Sequence, residues 1–467
     1  MANTYLTRTQ GTPTENKIFT VSCWFKASQV TDEMKLIYSD DNSLNNYTYI
    51  HFSDGSGRIR FQNRNGGSNN TELIFQNYIR DFSAFYHLVM AVDSTQTTAS
   101  DRVKFYLNGT QYTDLDSSQN TYPPLNQTFT LNSGGYGVDI GANGYNNNAY
   151  FQGIMSHFHF CDGTQLAPTV FGETDSTTGE WKIKTSPSFT LGNNGFTILK
   201  DGNTITDQSS NSNDFSLASG TLTQTEDNPS NVFNVWNRNF LTRQHNESTS
   251  VPGMLQNGNT AFNSTANAFY GYKAGTLGAT SGKWYWEGKI IDNGRMYIGI
   301  CYPNVVQGIN EPHYDNQTYS AVTINNAGEV YGRYTGSAID EYASSVSFAN
   351  NDIIGFALDM DNKALYIHKN GTYINSGNPA SGASRTGSVI EQLTGTRDSY
   401  LGSGDFVSPF VGDPSSTGTF HCENNFGNGY FGTTAISSEG TNASGIGKFE
   451  YDVPTGYTAL STKGLNL

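Results

Sequence analysis

Apolar and polar residues alternate with a period of two along most of this chain, and helical periodicity is nearly absent. Phe19, Val21, Cys23 and Phe25 alternate with Thr20, Ser22, Trp24 and Lys26, the pattern of a strand with one face in a core. Val103, Phe105 and Leu107 alternate with Lys104 and Tyr106 and then meet Asn108-Gly109. An Asn-Gly pair between strands is a strong hairpin signal, because a type I′ turn needs positive φ twice. Ile354, Phe356 and Leu358 run into a turn at Asp359–Lys363, and Leu365 and Ile367 lead to a second such turn at Asn370-Gly371. Abundant glycine (50 residues) and aromatics (28 Phe, 28 Tyr) supply turns and core material, while charged residues are only 14%. The expectation is an all-β chain of two consecutive antiparallel β-sandwich (jelly-roll) domains joined by a polar, turn-rich linker.

Composition places the break. Residues 201–265 are polar and turn-rich, with SSNSND, TEDNPSN and NRNFLTRQHNESTS. Strand-like pieces persist to Thr225, so the boundaries expected are 1–228 and 229–467, with 229–265 as a linker-like entry. Met1–Asn16 reads as an unstructured polar segment, and Phe449–Leu467 as a closing strand and tail.

Charge excludes some functions. Lys+Arg 26 against Asp+Glu 41 gives a net charge of −15, which opposes nucleic-acid binding because phosphates demand a positive field. Apolar runs such as Phe85–Val92 and Ile353–Leu358 are too short to insert in a bilayer. The first residues hold no apolar core of a signal peptide, so synthesis in the cytoplasm with four reduced, buried cysteines is expected.

Particular blocks resemble known families. FTVSCWFK (19–26), FYHLVMAVDSTQTTASDRVKFYLNGTQ (85–111) and YFQGIMSHFHFCDG (150–163) resemble a laminin-G-like, concanavalin-A-type lectin domain. SGKWYWEGKI…MYIGI (281–300), NNDIIGFALDMDNKALYIHKNGTYI (350–374) and YLGSGDFVSPFVGD (400–413) resemble a SPRY domain, with NFGNGYF (425–431) and FEYDVPTGYTAL (449–460) completing the pattern. The pairing is similar to bacteriophage virion proteins of the tail-fibre or capsid-appendage type. That resemblance implies a non-enzymatic structural protein of the virion, made in the host cytoplasm, adhering to host-surface glycan or protein. It also implies other virion proteins as partners and a homo-oligomer, a trimer being one form. The alternative it leaves open is a purely architectural or capsid-decoration protein. A polysaccharide-degrading enzyme is disfavoured, because no paired-carboxylate string appears and Asp359 and Asp361 read as turn formers.

Aromatic rings beside amides are sugar-binding chemistry. Tyr136, Tyr145, Asn146, Asn147, Asn148 and Tyr150 crowd one loop region, and Tyr302, Tyr314, Tyr319, Tyr331 and Tyr334 are expected near loops of the second domain. Both sets are candidates for glycan or partner binding. Arg238, Arg243 and His245 form one of few basic spots and are candidates for docking between subunits. No cofactor is required. For metal, His157, His159 and Cys161 share a strand face expected to be exposed, and Asp93 with loop Gly141–Asn148 could offer oxygens to calcium, as the lectin resemblance allows.

Overall fold

The computed structural model describes residues 3–466 except 31–32, 54, 56, 201–203, 241–253, 265–270, 304–320, 334–339, 394–399, 402–405 and 414–417. Strand makes up 44% and helix 6%, the latter as short 3-10 turns. The chain divides into two compact units, Met1–Gln224 with Asn228–Ser230, and Thr225–Asp227 with Asn231–Leu467.

The first unit is a sandwich of an eight-stranded and a six-stranded sheet. The larger sheet runs Leu115–Thr121, Ser68–Phe75, Arg58–Asn65, Tyr47–Ser53, Met34–Asp40, Gly137–Ile140, Tyr5–Thr9 and Ser216–Ser219. The smaller runs Phe196–Ile198, Gly153–Asp162, Ile18–Ala27, Tyr86–Asp93, Val103–Leu107 and Thr110–Tyr112. Neighbours pair antiparallel, and the alternating apolar set (Phe19, Val21, Cys23, Phe25, Ile50, Phe52, Phe61, Leu88, Phe105) fills one core. Asn108 (φ 48°) and Gly109 (φ 79°) form the expected turn.

The amino-terminal segment differs from expectation. Tyr5–Thr9 is a strand paired on both sides, with Leu6 in the core. Its alternation spans too few residues to register in the sequence, and Arg8 disguises an inward position. Its guanidinium lies 5.9 and 5.8 Å from the Phe196 and Phe215 rings and bonds Asn194 O and Asn213 Oδ1.

The second unit has the same construction. One sheet places Lys283–Asp292 between Phe420–Asn425 and Ile353–Asp359; the other runs Gly271–Ala274, Ser408–Asp413, Tyr297–Cys301, Ala321–Asn325, Glu329–Arg333 and Asp340–Ala343. Trp284 and Trp286 are both in the core, and Trp286 stacks on Phe356 at 5.2 Å. Residues 231–240, in the stretch read as an entry, belong to this unit and bury Phe233, Val235, Trp236 and Phe240. The carboxy-terminal stretch contributes Thr458–Ala459 as a strand, parallel to Lys283–Asp292, places Leu460 in the core, and covers the sheet from outside with Phe449, Val453 and Tyr457.

That cover is fastened by a buried polar chain. Gly371 N donates to His368 Nδ1 (3.1 Å), so His368 Nε2 carries the hydrogen and donates to Tyr285 Oη (2.7 Å). Tyr285 in turn donates to Glu287 Oε1 (2.9 Å), and Glu287 accepts from Glu450 N and Tyr451 N (2.9 and 2.8 Å). Glu287, Gly355 and His368 are aligned on adjacent strands, and only glycine leaves room for the imidazole. A Cβ on Gly355 would lie 1.9 Å from His368 Nε2. Gly355→Ala should therefore lower the second unit's unfolding free energy by about 1–3 kcal/mol. Denaturant titration followed by tryptophan fluorescence checks this, and an unchanged midpoint would refute the packing argument.

Candidate functional site

The outer face of the eight-stranded sheet, opposite the core, is built from the alternate residues of each strand. Register aligns Asp40, Tyr47, Arg64 and Asn69 in one row. Thr7, Asp139, Tyr38, Tyr49, Gln62 and Glu72 form the next, and Lys35, His51, Arg60 and Ile74 a third. Leu36 and Ile37 both enter the core at a bulge between Lys35 and Ile37, which keeps Lys35 and Tyr38 together on the outside.

Tyrosines pave this face. Tyr47 stacks on Tyr49 at 5.3 Å and Tyr49 on Tyr38 at 6.4 Å, forming a row of rings in which Tyr38 and Tyr49 are buried and Tyr47 is half-buried. Tyr49 Oη donates to Gln62 Oε1. Lys35 Nζ lies 3.9 Å from the Tyr49 ring centre, 2.9 Å from His51 Nδ1 and 3.0 Å from Glu33 Oε2. Burial, then Lys35 and Arg60, push the His51 pKa well below its ordinary value, so it is neutral. Buried polar atoms without a hydrogen-bond partner gather here: His51 Nε2, Arg60 Nε and Arg64 Nε, while the Tyr38 hydroxyl bonds the Asp40 carboxylate. Such unbonded atoms are rare in interiors.

The loop singled out in the sequence borders this face. Asn143 and Asn148 exchange backbone hydrogen bonds, Asn146 N donates to Asn143 Oδ1, and Asn147 and Ala149 adopt positive φ. Tyr145, Asn146, Asn147 and Asn148 are exposed, and Tyr150 is half-buried 6.2 Å from Tyr5, whose hydroxyl donates to Asn147 Oδ1 (3.2 Å). Gly144 N donates to Asp139 Oδ2 (3.1 Å), tying the loop to the middle row. Tyr136 lies at the other end of strand Gly137–Ile140 from this loop. Sequence reasoning missed the face itself. Tyr38, Tyr47 and Tyr49 are far from Asp139 in the chain, and only register brings them together.

Several expected sites are relocated. His157, His159 and Cys161 lie beneath residues 164–199, not on an exposed face. His157 occupies a bulge (φ 48°), and His159 stacks on Phe171 at 5.4 Å and pairs with Thr197 Oγ1 (2.9 Å). Asp93 accepts from Thr95 N, Thr95 Oγ1 and Gln96 Nε2, which makes it a turn residue. Among the described residues no cluster of three or more ligating side chains occurs. Tyr302 is buried with its hydroxyl on Tyr400 O (2.7 Å), and Tyr331 lies within strand Glu329–Arg333 beside Tyr297, not on a loop. Arg238 is half-buried near Lys273, whose pKa falls to about 8 through burial and that neighbour. Tyr314, Tyr319, Tyr334, Arg243 and His245 lie outside the described residues.

Residues 1–171 match the model of the concanavalin A-like lectin/glucanases superfamily known as Laminin_G_3, and residues 283–386 match the SPRY domain. The chain carries a laminin-G-like domain and a SPRY domain. Both are binding-type modules. Similar solved structures include the SPRY domain of human HERC1 (18% identity, 35% of this chain and 87% of that one, TM-score 0.25). Others are a heptameric SAP-like pentraxin from Limulus polyphemus (16%, 35% and 71%, TM-score 0.27) and domains LG4-5 of the mouse laminin alpha1 chain (8%, 97% and 94%, TM-score 0.29). No curated protein matches the chain.

The laminin-G-like site has a titratable centre. Burial, and the nearby Asp40 carboxylate, raise the Asp139 pKa to about 6 against hydrogen bonds from Thr7 and Gly144. An unfolded aspartate titrates near ~3.9. Between those values the folded chain holds a proton that the unfolded chain releases, so this group's contribution is full below ~pH 4 and is lost as pH rises through 6. Asp139→Asn should flatten that part of the stability profile. Subtracting the variant's melting curve from the native one between those pH values checks the sign.

Proposed function

We propose that this chain is a non-enzymatic adhesion protein of a bacteriophage virion, a tail-fibre or appendage component whose laminin-G-like domain holds host-surface glycan. The observation that supports the binding reading is the meeting of an exposed tyrosine–amide loop with a polar sheet face whose edge leaves Tyr47 and Arg64 half-buried. Tyr145 offers a ring for a pyranose, and the exposed amides of Asn146–Asn148 offer paired donors and acceptors. The virion setting rests on the family resemblance alone.

In this reading the chain is made in the host cytoplasm, assembles as a homo-oligomer, with a trimer as one form, and contacts other virion proteins near Arg238. It calls for no cofactor and no nucleic acid. Glycan-array binding by the full chain is the test. Tyr145→Ala should weaken the positive signals about tenfold, the scale of one stacked ring. Antibody labelling of particles locates the chain, and its absence from purified virions would end the virion assignment. Release of reducing ends from host polysaccharide would replace adhesion with catalysis.

A further inference from the structure

We propose that the exposed end of the laminin-G-like face selects glycans bearing a carboxylate, with Arg64 as the group that reads it; this rests on the glycan-binding reading above.

Most cations on this face are already engaged. Lys35 is held by Glu33 (3.0 Å), Arg58 by Asp116 (2.7 Å) and Arg60 by Glu72. Arg64 follows Arg58 and Arg60 on the same side of strand Arg58–Asn65, yet no carboxylate among the described residues pairs with it. Its guanidinium lies 5.8 Å from the centre of the Tyr47 ring, and its Nε is buried without a hydrogen bond. A guanidinium so placed has lost part of its hydration and gained no anion, which a planar acceptor would correct.

Access and rigidity favour the same place. Tyr38, Tyr49 and Gln62 are buried in the middle row, whereas Tyr47 and Arg64 are half-buried and Asn69, paired with Arg64, is exposed. Gly66 N donates to Asn46 Oδ1 (2.8 Å) and Gly67 N to Asn45 O (3.0 Å), so the two turns flanking the row brace each other. Asp40 lies on the far side of Tyr47, two strands from Arg64 and about 10 Å away at the usual strand spacing. It accepts from Asn42 N (2.9 Å) and bonds Tyr38, and is not a competitor for the guanidinium.

The number of free charges sets the ligand class. One guanidinium matches one singly charged, planar carboxylate, whereas a phosphate or sulfate cluster would call for several cations. Uronic or ulosonic acid residues carry that group beside ring hydroxyls, for which Tyr47 and Asn69 provide partners.

The experiment measures binding of the full native chain to immobilised glucuronate-, galacturonate- and N-acetylneuraminate-terminated oligosaccharides, each beside its carboxyl-reduced counterpart and a sulfated neutral glycan. At least one acidic glycan should bind roughly ten- to hundredfold more tightly than its reduced form, the range of one charge-assisted contact. Arg64→Gln should erase that difference, Arg64→Lys should restore part of it, and Tyr145→Ala should weaken acidic and reduced forms alike. Equal binding of the acidic and reduced forms by the native chain, preference for the sulfated glycan, or indifference to Arg64→Gln would overturn the inference while leaving glycan binding intact. Binding to no glycan would overturn both.

Discussion

The laminin-G-like unit depends on one register, the alignment of Asp139, Tyr38, Tyr49, Gln62 and Glu72 across its larger sheet. A slip of one residue in any of these strands would exchange the two faces, sending tyrosine hydroxyls into the core and Ile50 or Phe61 into water. The core fixes the register, since Ile50, Phe52, Phe61, Leu73 and Val138 are all fully buried on the opposite side. The bulge at Leu36 then matters more than its size suggests. By turning two successive apolar residues inward it resets which side Lys35 occupies, and so sets Lys35 beside His51 and the Tyr49 ring.

Both units also close an outer sheet face with neutral histidines, and tautomer is what makes the closure specific. In the SPRY-containing unit His368 accepts from Gly371 N and donates to Tyr285, passing the polarity on to Glu287 and the backbone of Glu450 and Tyr451. In the laminin-G-like unit His87 lies between Trp24 and Trp181, with ring centres 4.7 and 6.0 Å away. Trp181 Nε1 donates to His87 Nδ1 (3.0 Å), which leaves the Nε2 hydrogen for Ser22 Oγ (2.9 Å). A proton on Nδ1 would set donor against donor, and burial already holds both His87 and His368 at a pKa of about 3. Gly109 and Gly172 make this cover possible, because a Cβ on either would lie 2.4 Å from the Trp181 ring.

Local signals in the sequence carried the fold a long way. Alternation located Ile18–Ala27, Val103–Leu107 and Ile353–Asp359, and the Asn-Gly pairs at 108–109 and 370–371 adopt the positive φ that their turns require. What escaped was non-local. Tyr5–Thr9 is recognisable only from its partners on either side, and the burial of His159 depends on Phe171, Phe189 and Thr197, which arrive later in the chain. The candidate site divides the same way. Tyr145 and its asparagines formed a visible local cluster, whereas Asp40, Asp139, Tyr38, Tyr49 and Arg64 come from separate strands and share nothing in sequence but parity.

Net charge and ligand charge then need reconciling, since a chain at −15 repels an anion at long range. At physiological salt the screening length is about 8 Å, so most of that charge is invisible to a carboxylate arriving at one edge of one sheet. What the ligand meets there is local: a guanidinium over a tyrosine, flanked by amides, with the nearest cations on the face already neutralised by Glu33, Asp116 and Glu72. Pairing those cations internally removes the diffuse positive field that would attract any polyanion. Leaving Arg64 unpaired then lets recognition depend on contact geometry, and contact geometry is what separates one carboxylated sugar from a phosphate backbone.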